Sequence, residues 1–191
     1  DGREAAFRQV CGLVADLLRV SVEAASLIEV ALGDTAQHVV VRPDRELLDF
    51  LQHEPYRFSG RVGFLWLGTP ADRENPDRVN FDGWPGVLGR ADRFVETEPE
   101  YEPLARRLLA DTWIVEKLSQ AVTLAQTPQR TCHFVTLAGE MLSADGTLSV
   151  GPRHASTGLI SRRSELRALG SQLAELESRI EQAEAALARL Q

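Results

Sequence analysis

The sequence predicts an α+β fold: two related helix/strand halves with a mixed sheet, followed by one long coiled-coil helix. Three observations carry this. Short β-branched runs alternate with helical runs, which demands parallel strand pairs covered by helices. The order helix, strand, helix, strand occurs twice. The C-terminal residues keep an unbroken heptad of apolar side chains.

Taken in order, residues 10–14 are an apolar run broken by Gly12, readable as a strand or as the entry to a helix. Ser21 is an N-cap for a helix over residues 22–32, and Gly33 stops it. Residues 37–42 (QHVVVR) form a strand. Pro43 opens a helix through Gln52 with Leu47, Leu48 and Leu51 on one side, and residues 61–67 (RVGFLWL) are the next strand. In the second half, residues 101–110 are a helix, 111–115 a strand, 116–125 a helix and 130–137 a strand. Leu32-Gly33-Asp34-Thr35 mirrors Leu109-Ala110-Asp111-Thr112 ahead of the matching strands, which points to an internal duplication. Residues 68–86 are a turn-rich linker loop that carries Phe81 and Trp84. Residues 141–150 are a hairpin, whose Asp145-Gly146 pair predicts a type I′ turn.

From Leu166 the apolar positions fall at Leu169, Leu173, Leu176, Ile180, Ala183, Leu187 and Leu190, a 3-4 spacing without a slip. This is a coiled-coil seam, narrower than the stripe of a globular helix. Residues 161–191 would make a rod of roughly 45 Å at about 1.5 Å per residue. No other heptads occur, so the expectation is that the chain is a piece of something longer or pairs with another copy. It begins Asp-Gly-Arg and its single Met is Met141, which is read as a cut end.

Composition excludes several classes. The net charge of −7 argues against a surface coated in basic residues for nucleic acid, and basic charge is almost all Arg, with Lys117 the single Lys. No apolar run approaches the ~20 residues of a membrane span, so no membrane partner is expected. Cys11 and Cys132 stand in no motif, which predicts no disulfide or zinc site and a reducing, cytoplasmic setting. There is no phosphate-binding G-x-x-x-x-G-K-[ST]. Gly83, Gly86 and Gly89 read as turn glycines. Asn80 and Asp82 suggest a calcium loop, but Arg78 and Gly89 occupy its first and twelfth ligand positions. Cys132 and His133 are neighbours in a strand and point to opposite faces, while His38, His53 and His154 are isolated. No catalytic residue, metal or cofactor is expected in this chain.

A resemblance covers nearly the whole chain. Cys11-Gly12-Leu13-Val14-Ala15-Asp16-Leu17-Leu18 is followed by Ile28-Glu29-Val30-Ala31-Leu32-Gly33, Val39-Val40-Val41 and Gly60-Arg61-Val62-Gly63-Phe64-Leu65. Then come Gly86-Val87-Leu88-Gly89, Asp111-Thr112, Val135-Thr136-Leu137-Ala138-Gly139-Glu140 and Gly158-Leu159-Ile160-Ser161-Arg162-Arg163. In order and spacing this resembles the hinge domain of an SMC (structural maintenance of chromosomes) protein of the bacterial condensin type. The resemblance implies a remnant of an entering coiled-coil strand at 1–9, hinge subdomains at 10–67 and 87–160 joined by the loop 68–86, and an exiting coiled-coil helix at 161–191. It implies a homodimer through the hinge, with Gly139, Gly146 and Gly151 at the contact, although Asp145 and Val150 stand where the family often has Gly. Gly146 also serves as the hairpin turn residue, so Gly151 is the stronger candidate. It implies weak, non-sequence-specific DNA contact where hinge meets coil, through Arg153, Arg162, Arg163 and Arg167. ATP and Mg would act at ATPase heads absent here, kleisin-type subunits would bind elsewhere in the parent, and the setting would be the cytoplasm and nucleoid. Two other readings remain: a ligand-binding regulatory α/β domain on a stalk, needing a polar-lined pocket between the halves, and a structural protein dimerising through residues 161–191.

Overall fold

In a computed structural model, which describes residues 7–53, 58, 60–68, 79–127, 132–151 and 158–188, the first half opens with β1 (Val10–Leu13). Gly12, at φ 142°, shifts the register of β1 against β3 (Val39–Val41), and the chain turns into the short α1 (Val14–Leu17). The run with two readings is thus both strand and helix entry. After β2 (Arg19–Val20), Ser21 caps α2 (Val22–Leu32) by accepting from the Ala24 N–H at 3.3 Å. Gly33 ends α2 at φ 58°, a conformation that favours glycine. A 3-10 turn, β3, α3 (Arg45–His53) and β4 (Phe64–Trp66) follow, with β3 and β4 parallel.

The second half repeats the plan further than the sequence reading reached. β5 (Val87–Arg90) has the same bulge at the same place as β1, with Gly89 at φ 147°. A 3-10 turn and β6 (Val95–Glu96) replace α1 and β2, and β2 and β6 pair antiparallel with each other. Next come α4 (Glu102–Leu109), β7 (Thr112–Val115), α5 (Leu118–Ala125) and β8 (His133–Thr136), with β7 and β8 parallel. A hairpin of β9 (Met141–Leu142) and β10 (Leu148–Ser149) adds to β8. The mixed sheet is therefore divided into β1-β3-β4, β10-β9-β8-β7-β5 and the β2-β6 ribbon.

The hairpin turn differs from expectation. Only Gly146 has positive φ (88°), and no described non-glycine does. The Gly146 N–H donates to Ser143 O and the Ser143 N–H to Thr147 O, at 2.9 and 2.8 Å. This is a type I turn with a glycine bulge, one residue longer than a type I′ loop. The Asp145 carboxylate accepts from the Thr147 N–H at 2.8 Å, which supplies the reason: the aspartate closes the turn through its side chain and needs no left-handed backbone.

The two halves share one core. Val14, Leu18, Ile28 and Val40 from the first meet Leu109, Ile114 and Val135 from the second, and Ile160 at the foot of α6 (Leu159–Ala188) joins them. Burial of each such side chain contributes roughly 1.5–3 kcal/mol. A smaller core lies under the linker loop, where Phe81 packs edge-on against Trp113 at 5.4 Å and beside Phe134 at 5.6 Å.

Candidate functional site

The C-terminal end of the second half presents bare backbone and exposed apolar side chains together. Gly139 (φ 82°), Gly146 (φ 88°) and Gly151 (φ 107°) all sit in left-handed backbone, and a Cβ on any of them would meet nothing within 4 Å. Beside them Leu137, Leu148 and Val150 are exposed, Val150 by 64%. β10 is the outer strand of its sheet, and among the described residues nothing pairs with its outer edge.

A second open edge follows from the duplication. β4 and β8 are equivalent: β4 lies parallel to β3 and β8 parallel to β7, each on the side away from the bulged strand. β8 carries the antiparallel β9 on its far side, whereas the far side of β4 has no described partner. Each half thus ends in a strand with no further strand beside it among the described residues, the kind of edge that invites pairing with another chain.

The other functional region is the foot of α6. Ile160 and Ser164 are buried, and Ser161 donates both its N–H (3.2 Å) and its hydroxyl (2.9 Å) to Glu29 Oε2 of α2. Arg163 forms an ion pair with Asp16 of α1, and Arg167 donates to the Leu18 carbonyl at 3.3 Å. Of the four arginines expected at DNA, Arg163 and Arg167 therefore hold the domain itself, Arg162 is exposed, and Arg153 lies outside the described residues. Sequence reasoning missed Asp16 and Glu29, because their partners lie more than 130 positions away and no local pattern marks them.

Beyond the foot the seam is bare. Leu166, Leu169, Leu173, Leu176 and Ile180 are each more than half exposed, and Ala183 is exposed too. The Leu187 side chain and Leu190 lie outside the described residues.

Among the described residues no three His, Cys, Asp or Glu groups could hold a metal ion. Cys132 is buried, and the His133 Nδ1 accepts from the Ala144 N–H at 3.3 Å, steadying the hairpin loop. An open cleft of about 490 Å³ lies between the halves, lined by Arg42, Leu67, Glu100 and Arg107 among others. Its arginines are engaged: Arg42 Nε donates to Glu100 Oε1 at 3.1 Å and Arg107 to the Trp66 carbonyl at 3.0 Å. The hydrogen bond to Glu100 is the main reason the Arg42 pKa is raised.

Comparison with known proteins bears on this geometry. Residues 7–125 match the family model described as the SMC proteins flexible hinge domain. The chromosome partition protein Smc of Rhodopirellula baltica is 38% identical over 96% of this chain, and that of Bacillus subtilis 29% over 88%. The chain spans only 15% and 14% of those two relatives. The crystal structure of an asymmetric dimer of the Geobacillus stearothermophilus SMC hinge domain superposes with TM-score 0.79 at 29% identity, covering 94% of this chain and 73% of that one. The Pyrococcus furiosus Smc hinge domain with an extended coiled coil gives TM-score 0.57 at 27% identity, covering 97% and 71%. A family model that covers more than half of the residues, and a relative 38% identical over 96% of them, settle the membership: the chain belongs to the SMC hinge family.

Proposed function

We propose that this domain joins two copies of a longer chromosome-partition SMC protein, and that it does so by strand addition. The observation that carries the reading is the flank of β4, which no strand among the described residues covers, whereas the equivalent β8 has an antiparallel strand there. The outer edge of β10 on a second copy supplies such a strand, and a two-fold axis makes the contact twice and closes a ring. The open space at Gly139, Gly146 and Gly151 lets a partner backbone approach, and Leu137, Leu148 and Val150 give it apolar surface to cover. The function is mechanical: it couples two arms, while ATP and Mg act at heads, and kleisin-type subunits bind, in parts of the parent beyond this chain. The parent's place is the cytoplasmic nucleoid. No helix among the described residues is long and apolar enough to cross a membrane.

Light scattering tests this. The expected mass is twice the 21.1 kDa of one chain, and Gly151→Asp reduces it to one. Removing residues 171–191 leaves the dimer intact, because the docked foot of α6 stays in place. A monomeric wild type at micromolar concentration, or loss of the dimer on removing those residues, refutes strand addition.

Weak DNA contact at the junction of hinge and coil rests on Arg162, exposed at the first turn of α6 beside Arg163 and Arg167. Since Arg163 pairs with Asp16, the clean test is Arg162→Glu alone. Salt-dependent DNA affinity falls in this variant, and unchanged affinity removes the contact.

A further inference from the structure

We propose that Glu29 of α2 caps α6 from outside that helix, and that this carboxylate positions the exiting helix on the first half of the hinge. The first hydrogen bond of α6 runs from the Arg162 N–H to Gly158 O at 3.2 Å, which makes Gly158 the N-cap residue. Glycine has no side chain to accept from the open N–H groups of the first turn. Glu29 Oε2 takes that place, accepting the Ser161 N–H at 3.2 Å and the Ser161 hydroxyl at 2.9 Å. It meets the third residue of the helix, where a Ser or Asp at position 158 would reach from within. It also sets a carboxylate at the positive end of a 30-residue helix.

Gly158 and Glu29 are complementary in shape. A Cβ at position 158 would overlap the Glu29 carboxylate, while the backbone of Gly158 lies outside the left-handed region. A side chain at 158 and the Glu29 carboxylate therefore compete for one space, a competition that the dihedral angles of Gly158 do not impose. Two further polar contacts of the foot fall on the same half: Arg163 on Asp16 and Arg167 on the Leu18 carbonyl. The helix takes its direction from α1 and α2 and moves with the first half. That consequence rests on reading α6 as the arm; the cap does not.

Amide exchange in the 191-residue chain tests the proposal, with the dimer mass read in parallel. Glu29→Ala speeds exchange of the Ser161 and Arg162 amides about fivefold, the effect of losing one N-cap. Glu29→Gln keeps an acceptor oxygen and stays near wild type. Gly158→Asp alone loosens the first turn, because its Cβ overlaps Glu29. The double variant Glu29→Ala/Gly158→Asp restores protection, since the new aspartate caps from within and the space is now free. Unchanged exchange in Glu29→Ala overturns the cap, as does a Gly158→Asp effect that is the same with and without Glu29. The dimer mass stays constant across the series; a monomeric wild type would count against strand addition and leave the cap standing.

Discussion

At the scale of single residues, Gly86 separates two reasons for a glycine. Its φ is 76°, its carbonyl accepts the Glu116 N–H at 2.9 Å, and a Cβ there would overlap the side-chain amide of Gln120. That amide is in use: Gln120 Oε1 accepts from the Lys117 N–H at the start of α5. Gly86→Ala must strain the backbone and displace the cap together, at about 2–3 kcal/mol. Gly83 has nearly the same φ (79°) but open space around it, so Gly83→Ala loses only the backbone part, about 1–2 kcal/mol. Urea unfolding midpoints should rank the two in that order, and equal losses would remove the role of Gln120. Asp82 offers a test in pH. Two hydrogen bonds from Arg93, at 2.7 and 2.8 Å, hold its carboxyl below the usual carboxylate range. A depressed folded pKa means that the stabilisation is present above about pH 4 and is lost as pH falls through the lower folded value. Asp82→Asn should therefore narrow the difference in thermal midpoint between pH 7 and pH 3. The effect is small because the side chain is 35% exposed and screened by solvent.

At the scale of elements, α2 carries the first half. It packs against α6, the 3-10 turn after it and α4, so loss of its cap is felt globally. Ser21→Ala should lower stability by about 1 kcal/mol with an unchanged denaturant slope; a changed slope would mean that α2 frays by itself. This helix was legible in the sequence to its last residue, because Ser21 and Gly33 signal its ends locally. The long helix α6 was legible for a similar reason, because its heptad spacing is local. The hairpin was legible as a hairpin, yet its turn type was not, since Asp145 can serve a turn either through its backbone or through its carboxylate. The contacts of Glu29 with Ser161 and of Asp16 with Arg163 were beyond sequence reasoning, because only the fold brings them together. The same holds for the flank of β4 that no described strand covers, which becomes visible when the two halves are compared strand by strand.

At the scale of the whole molecule, α6 does two separate jobs along one continuous helix. Its first turns complete the core shared by both halves, through Ile160 at 1% exposure. From Leu169 outward its seam residues rest on nothing within the described chain, with Leu173 and Ile180 at 59% and 57% exposure. Substitutions along it should divide accordingly. Ile160→Ala opens a cavity between the halves and should cost about 2–5 kcal/mol. Leu173→Lys with Ile180→Lys, in the same helix, should leave the unfolding midpoint within about 0.5 kcal/mol of wild type. Midpoints measured over a series of protein concentrations make this decisive, because a seam that zips two copies together adds stability that grows with concentration. Under strand addition at β4 and β10, the paired lysines leave the concentration dependence of the wild type as it was. If they abolish it, the seam is the dimer contact, and the sheet edges are not.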